Sequence, residues 1–122
     1  MLAVIDPDDA HHAAAVAVLH VQEAAGRTFR LPSVVLAEAL VGETRVNPER
    51  VDRLRASLIE AFGAVRVLDE EIAVAAARLR ATHRALRLPD AVVLATGIVD
   101  GCSAILTADR RWSAVDSRVV TL

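Results

Sequence analysis

The sequence predicts an α/β fold of three layers, with a mostly parallel sheet flanked by helices. Two observations carry that expectation. Short β-branched strand candidates alternate along the chain with helical stretches of about ten residues or more, the pattern of strand–helix–strand crossovers. The whole length of 122 residues holds no repeat, no low-complexity tract and no linker, so residues 1–122 are expected to form a single domain around one core. Only Phe29, Phe62 and Trp112 are aromatic, and that core must be built from Val, Leu, Ile and Ala.

The elements follow in order. Pro7-Asp8-Asp9 is an acidic helix start, and a helix over 10–25 is closed by Gly26. Residues 28–31 form a short strand candidate stopped by Pro32. Ser33 is placed to cap a second helix over 34–41, although its β-branched content would also suit a strand. Asn47-Pro48 reads as an N-cap and first-turn pair; after it Val51, Leu54, Leu58, Ile59 and Phe62 recur at helical spacing until Gly63. A strand over 64–68 leads into Asp69-Glu70-Glu71, whose negative charge suits the first turn of a helix running to about Leu86. Pro89-Asp90 opens a helix over 91–100, ended by Gly101. A buried strand over 103–106, a turn at Thr107-Ala108-Asp109 and a last strand over 118–122 complete the chain.

Composition narrows the function. A single cysteine, Cys102, excludes an internal disulfide and any Cys-rich zinc site. His11, His12, His20 and His83 lack metal-ligand spacing and read as solvent-facing or capping residues. No apolar run approaches the ~18–20 residues that span a bilayer, and no leader segment precedes Asp6, so a cytoplasmic location is expected. All 14 basic residues are arginine, with no lysine, and the net charge is −2. Arginine grips phosphate bidentately, and GC-rich coding favours it as well. A mean hydropathy of +0.40 implies apolar surface left on the monomer, which is weak support for a homodimer or an obligate partner.

Three acidic residues stand where an α/β sheet places its chemistry, beyond the carboxyl ends of strands. Glu38 is the only charge in the apolar run Val34-Val35-Leu36-Ala37-Glu38-Ala39-Leu40-Val41, and a buried carboxylate there would need an arginine or a cation. Asp90 follows Leu88-Pro89 and precedes an apolar helix; alone it is an ordinary first-turn acid. Asp109 follows the strand candidate ending at Leu106; alone it is an ordinary turn aspartate. Gathered at one sheet edge, such carboxylates repel one another unless a cation intervenes, and Mg²⁺ or Mn²⁺ suits oxygen donors. A metal so held can polarise a phosphoryl oxygen and lower the pKa of an attacking water. Thr107, two residues before Asp109, is placed to orient these groups by hydrogen bonding.

The phrases Ser33-Val34-Val35-Leu36-Ala37-Glu38, Leu88-Pro89-Asp90-Ala91 and Leu106-Thr107-Ala108-Asp109-Arg110-Arg111-Trp112 resemble the second, third and fourth acidic motifs of PIN-domain nucleases, and more narrowly of VapC-type toxins of bacterial toxin–antitoxin pairs. Asp6-Pro7-Asp8-Asp9-Ala10-His11-His12 resembles a loop near the start of those toxins. The resemblance implies a PIN-like sandwich and Mg²⁺- or Mn²⁺-dependent endoribonuclease activity on RNA. It further implies Glu38, Asp90 and Asp109 as the metal-binding catalytic carboxylates, dimerisation, and a cognate VapB-type antitoxin.

The family begins with a strand ending in a first metal-binding aspartate, then a helix, then that loop, whereas here the loop begins at Asp6. In one register the first strand and its aspartate are missing, and Met1 is not the natural start or the chain is a shortened relic. In the other, residues 2–5 are the strand and Asp6 is the first aspartate. The longer match favours the former.

Of other residues, Arg110 or Arg111 could contact RNA phosphate, and Trp112 reads as core packing more than as a base-stacking platform. Arg78, Arg80, Arg84 and Arg87 read as a solvated helix face. The absence of lysine excludes a phosphorylation receiver domain and counts against a haloacid-dehalogenase-type phosphatase, which Val4-Ile5-Asp6-Pro7-Asp8 superficially resembles. No glycine-rich phosphate loop is present. The strongest rival is a degenerate PIN domain that binds an antitoxin or RNA without cutting.

Overall fold

The computed structural model describes Ala10 and residues 12–122. Asp6, the aspartate loop and the two registers for the start of the chain therefore lie outside the described residues. Contacts divide the chain into two compact units, Phe29–Gly101 and the terminal segments Met1–Thr28 with Cys102–Leu122.

In the unit Phe29–Gly101, β1 (Leu31–Pro32) pairs in parallel with β2 (Val65–Arg66), Leu31 opposite Val65 and Pro32 opposite Arg66. Between them run α2 (Ser33–Val46), a 3-10 helix at Pro48–Arg50, and α3 (Val51–Phe62). After β2 come α4 (Glu70–Thr82) and α5 (Leu88–Val99), which pack on each other more extensively than any other pair of elements. The short link 83–87 makes them antiparallel neighbours. The buried face consists of aliphatic side chains: Val35 and Ala39 on α2, Leu58 on α3, Ile72 and Ala76 on α4, and Ala91, Val92, Leu94 and Ala95 on α5. α5 is buried nearly all round, which explains why its sequence is a continuous apolar run.

Sequence and structure differ here for local physical reasons. Proline was expected to stop the first strand, yet Pro32 lies in it, because its extended backbone (φ −61°, ψ 141°) suits a strand end where no N–H is required. Ser33 does not cap α2. It is the first helical residue, and its Oγ accepts from the Leu68 N–H at 3.2 Å, tying α2 to the segment after β2. α2 also runs past Val41 and Gly42 to Val46. Asn47 makes no side-chain cap bond, and Pro48 opens a 3-10 turn before α3 begins. Gly63 closes α3 with φ +79°, a conformation that favours glycine, beside the edge-to-face pair Phe29–Phe62 with centroids 6.0 Å apart. α4 ends at Thr82 and not near Leu86, since Leu86 leaves helical register to bury its side chain in the link.

Asp69 and Arg66 anchor this unit. The Asp69 Oδ1 accepts from the Ile72 N–H at 3.0 Å, capping α4. Its Oδ2 takes Arg66 Nη1 at 2.8 Å, while Arg66 Nε reaches the Asp100 carboxylate at 2.9 and 3.2 Å. Arg30 stands 4.0 Å from the same Asp100. The Ile72 N–H and then the Arg66 guanidinium hold the Asp69 carboxyl below its ordinary range, and Asp69 followed by Asp100 raises Arg66.

The second unit contains α1 (His12–Ala24) and a second parallel pair, β3 (Ile105–Thr107) with β4 (Val119–Thr121), in the register Ile105–Val119, Leu106–Val120 and Thr107–Thr121. Between the two strands lies a 3-10 helix, Arg110–Ala114, where the sequence suggested only a turn. Asp116 accepts from the Arg118 backbone and forks its guanidinium at 2.8 and 2.9 Å, the guanidinium being the larger influence that lowers the Asp116 carboxyl. Both observed pairings are parallel, as the alternation of strands and helices predicts.

Two measurements check this packing. Leu94→Ala, at a fully buried position, is expected to cost about 2–5 kcal/mol in urea unfolding. Asp69→Asn keeps an N-cap oxygen but loses the charge that Arg66 holds. Because the folded carboxyl is depressed below its ordinary 3.8, its contribution is fully present above that pH and disappears as pH falls through the folded value. The variant should unfold at lower urea than the parent at neutral pH, and the two midpoints should converge in strong acid.

Candidate carboxylate site

Each acid that the sequence singles out has a definite place. Asp90 stands in the first turn of α5, three residues after the N-cap Arg87, with Pro89 supplying the fixed backbone of that turn. Its side chain is 15% exposed, a low value for a carboxylate, and Arg87 Nε donates to its Oδ2 at 3.2 Å. Its carboxylate thus lies at a helix N-terminus beside one exposed guanidinium.

Asp109 follows β3 and caps the 3-10 helix, its Oδ1 accepting from the Arg111 N–H at 2.9 Å. Arg111 also forks the carboxylate through Nε at 3.0 and 3.1 Å and through Nη2 at 2.6 Å. The Thr107 Oγ1, buried, accepts from the Asp109 N–H at 3.0 Å. Thr107 thus fixes the backbone from which Asp109 projects and does not bond the carboxylate itself. Arg111, read from sequence as a phosphate contact, is in this arrangement a partner of Asp109.

Glu38 corrects an expectation. It is exposed on α2, not buried. The helix turns Val35 and Ala39 inward, and Glu38 lies on the outer face with Ala37, Val41 and Gly42. The run looked all-apolar because alanine and valine occupy that outer face as well, and Val41 is 46% exposed. The argument that burial obliges Glu38 to take a cation therefore falls, and its role rests on the motif around it. Glu38 and Asp90 belong to helices that pack on each other, α2 and α5.

Trp112 is 4% exposed, which places it in packing and removes it as a stacking platform; its Nε1–H finds no acceptor among the described residues. His20 lies 3.7 Å from Glu23 on exposed α1. Among the described residues no group of three or more His, Cys, Asp or Glu side chains is gathered so as to hold a metal ion. The carboxylates offer oxygen donors of the kind a hard divalent cation takes, and two of them, Asp90 and Asp109, are paired with arginine.

Sequence reasoning missed Asp100. It stands at the C-cap of α5, where a negative charge opposes the helix dipole, and that misfit was the available signal for its partners Arg66 and Arg30.

Among the described residues no helix is long and apolar enough to cross a membrane. No curated protein and no solved structure matches the chain. The sequence pattern of the PIN domain matches residues 1–118, nearly the full length, and agrees with the helices and small parallel sheets described above, so the chain belongs to the PIN domain family.

Proposed function

We propose that this chain is a divalent-metal-dependent endoribonuclease that uses Glu38, Asp90 and Asp109 as its metal-holding carboxylates and acts as the toxin of a toxin–antitoxin pair. The observation that carries the reading is the PIN domain match over residues 1–118, since PIN domains are generally metal-dependent nucleases. The resemblance of the three acidic motifs supports the assignment of residues, Mg²⁺ or Mn²⁺ as the ion, RNA as the substrate and a VapB-type antitoxin as the partner. A homodimer draws support from large apolar side chains left in solvent, such as Val46 at 85% and Leu88 at 57% exposure.

A bound Mg²⁺ or Mn²⁺ would supply charge against a phosphoryl oxygen and an acidified water. The chain's own contribution is placement. Asp90 projects from a rigid helix start, and Thr107 sets the backbone orientation of Asp109. Arg87 and Arg111 pair with the two carboxylates, and a cation held there would compete with these ion pairs.

The second reading, an RNA- or antitoxin-binding domain that does not cut, is favoured by the lack of any three-ligand group among the described residues and by the exposure of Glu38. Cleavage of labelled RNA with Mg²⁺ or Mn²⁺, against a chelator control, separates the two. Under the nuclease reading Asp90→Asn should lower the metal-dependent rate by on the order of 100-fold or more, since even residues behind a metal ligand typically cost 10–100-fold. Its unfolding free energy should stay within about 1 kcal/mol of the parent, because Arg87 is 74% exposed and such pairs contribute little. Undiminished cleavage by the variant would remove Asp90 from the mechanism, and absence of cleavage by the parent would leave the binding reading.

A further inference from the structure

The geometry points to the turn between α4 and α5 as the surface that grips the phosphate backbone of single-stranded RNA, through Arg80 and Arg84. This inference rests on the nuclease reading above and names where its substrate lies.

The charge pattern comes first. Although the chain is net negative, the stretch from Ile72 to Pro89 contains four arginines and His83 and no acidic residue. Arg78 faces elsewhere: it lines a shallow groove with Glu71, Val74 and Val99. The remaining three arginines cluster at the turn. Arg80 is in the last turn of α4, and its Nη1 donates to the Arg84 carbonyl at 2.8 Å, which draws the guanidinium over the link. Arg84 and Arg87 lie in the link itself, and all three are exposed.

Two of the turn's three guanidinium groups lack a carboxylate partner, as Arg45, Arg53 and Arg110 also do among the described residues, and what distinguishes the two is that they stand together. Arg66, Arg111 and Arg118 are forked by aspartates. Neither Arg80 nor Arg84 has a carboxylate partner among the described residues, although a chain with 16 acids had many to offer. The helix dipole accounts for a cation at Arg80, but Arg84 and Arg87 lie beyond the helix end. Their backbone is also held in place: Leu86 is 7% exposed, and its N–H bonds the His83 carbonyl at 2.9 Å. An anchored turn presents guanidinium groups at little ordering cost.

Position supplies the reason for nucleic acid. Arg87 reaches Asp90 at 3.2 Å, so the cationic turn runs directly into the carboxylate assigned to the metal. A nuclease must hold the phosphates that flank the one it cuts, and arginine forks phosphate oxygens bidentately.

The test is binding of a fluorescein-labelled single-stranded RNA to the full chain in EDTA, followed by anisotropy across a salt series. Each phosphate contact contributes a slope of about 0.7 in log K against log salt. Arg80→Gln with Arg84→Gln should therefore lower the slope by roughly 1.4 and weaken binding about tenfold or more at moderate salt. Arg80→Lys with Arg84→Lys, which keeps both charges, should restore most of the slope, and circular dichroism confirms that both variants fold. Parent-like binding by the Gln variant overturns the inference and leaves the nuclease reading standing. Loss of binding in that variant, from a parent that never cleaves RNA, supports the basic turn and overturns the nuclease reading. A parent that binds no RNA overturns both.

Discussion

One guanidinium holds together the elements that carry the candidate chemistry in the larger unit. Arg66 leaves the end of β2 and is gripped by Asp69 at the start of α4 and by Asp100 at the end of α5. These two helices have no loop longer than a short link between them, and without the Arg66 bridge Asp69 would keep only its cap bond to the Ile72 N–H and Asp100 only the more distant Arg30. The pairing also explains a local violation of helix electrostatics, the carboxylate at the C-cap of α5. With α4 and α5 fixed, the position of Asp90 at the other end of α5 follows from helix geometry alone.

The same chemistry, an aspartate held by an arginine, recurs at Asp90 and Asp109, but with a different consequence. Arg66 is 23% exposed and Asp100 14%, a pair partly withdrawn from water. Arg87 is 74% and Arg111 75% exposed, so their guanidinium groups can return to solvent at small cost. The chain thus combines an ion pair partly withdrawn from water with two whose arginines are largely exposed.

Much of the fold was legible because its signals are local. Helices α1, α3, α4 and α5 announce themselves through apolar periodicity, glycine after α1, α3 and α5, and acids in the first turns of α3, α4 and α5; parallel pairing follows from their alternation with strands. The strands were harder, since observed lengths of two or three residues leave almost no period to detect. The 3-10 helix after β3 was missed because it depends on a cap, Asp109 to the Arg111 N–H, that reads in sequence like any aspartate turn. Glu38 failed for a different reason. Hydropathy records what a residue is, not which way a helix turns it, and an outer face of alanine and valine is indistinguishable from a core. Partner choice was likewise invisible: Arg87 and Arg111 are sequence neighbours of the acids they neutralise, yet composition alone makes every arginine a candidate for phosphate.

The central proposal is that Glu38, Asp90 and Asp109 are metal-holding carboxylates. Its most direct test is titration of the isotopically labelled chain with Mn²⁺, whose unpaired electrons broaden amide signals steeply with distance. The account predicts that signals around residues 38, 90 and 109 broaden together at low Mn²⁺ and recover when excess Mg²⁺ is added. Broadening confined to one of the three, or spread evenly over all surface acids, would contradict it.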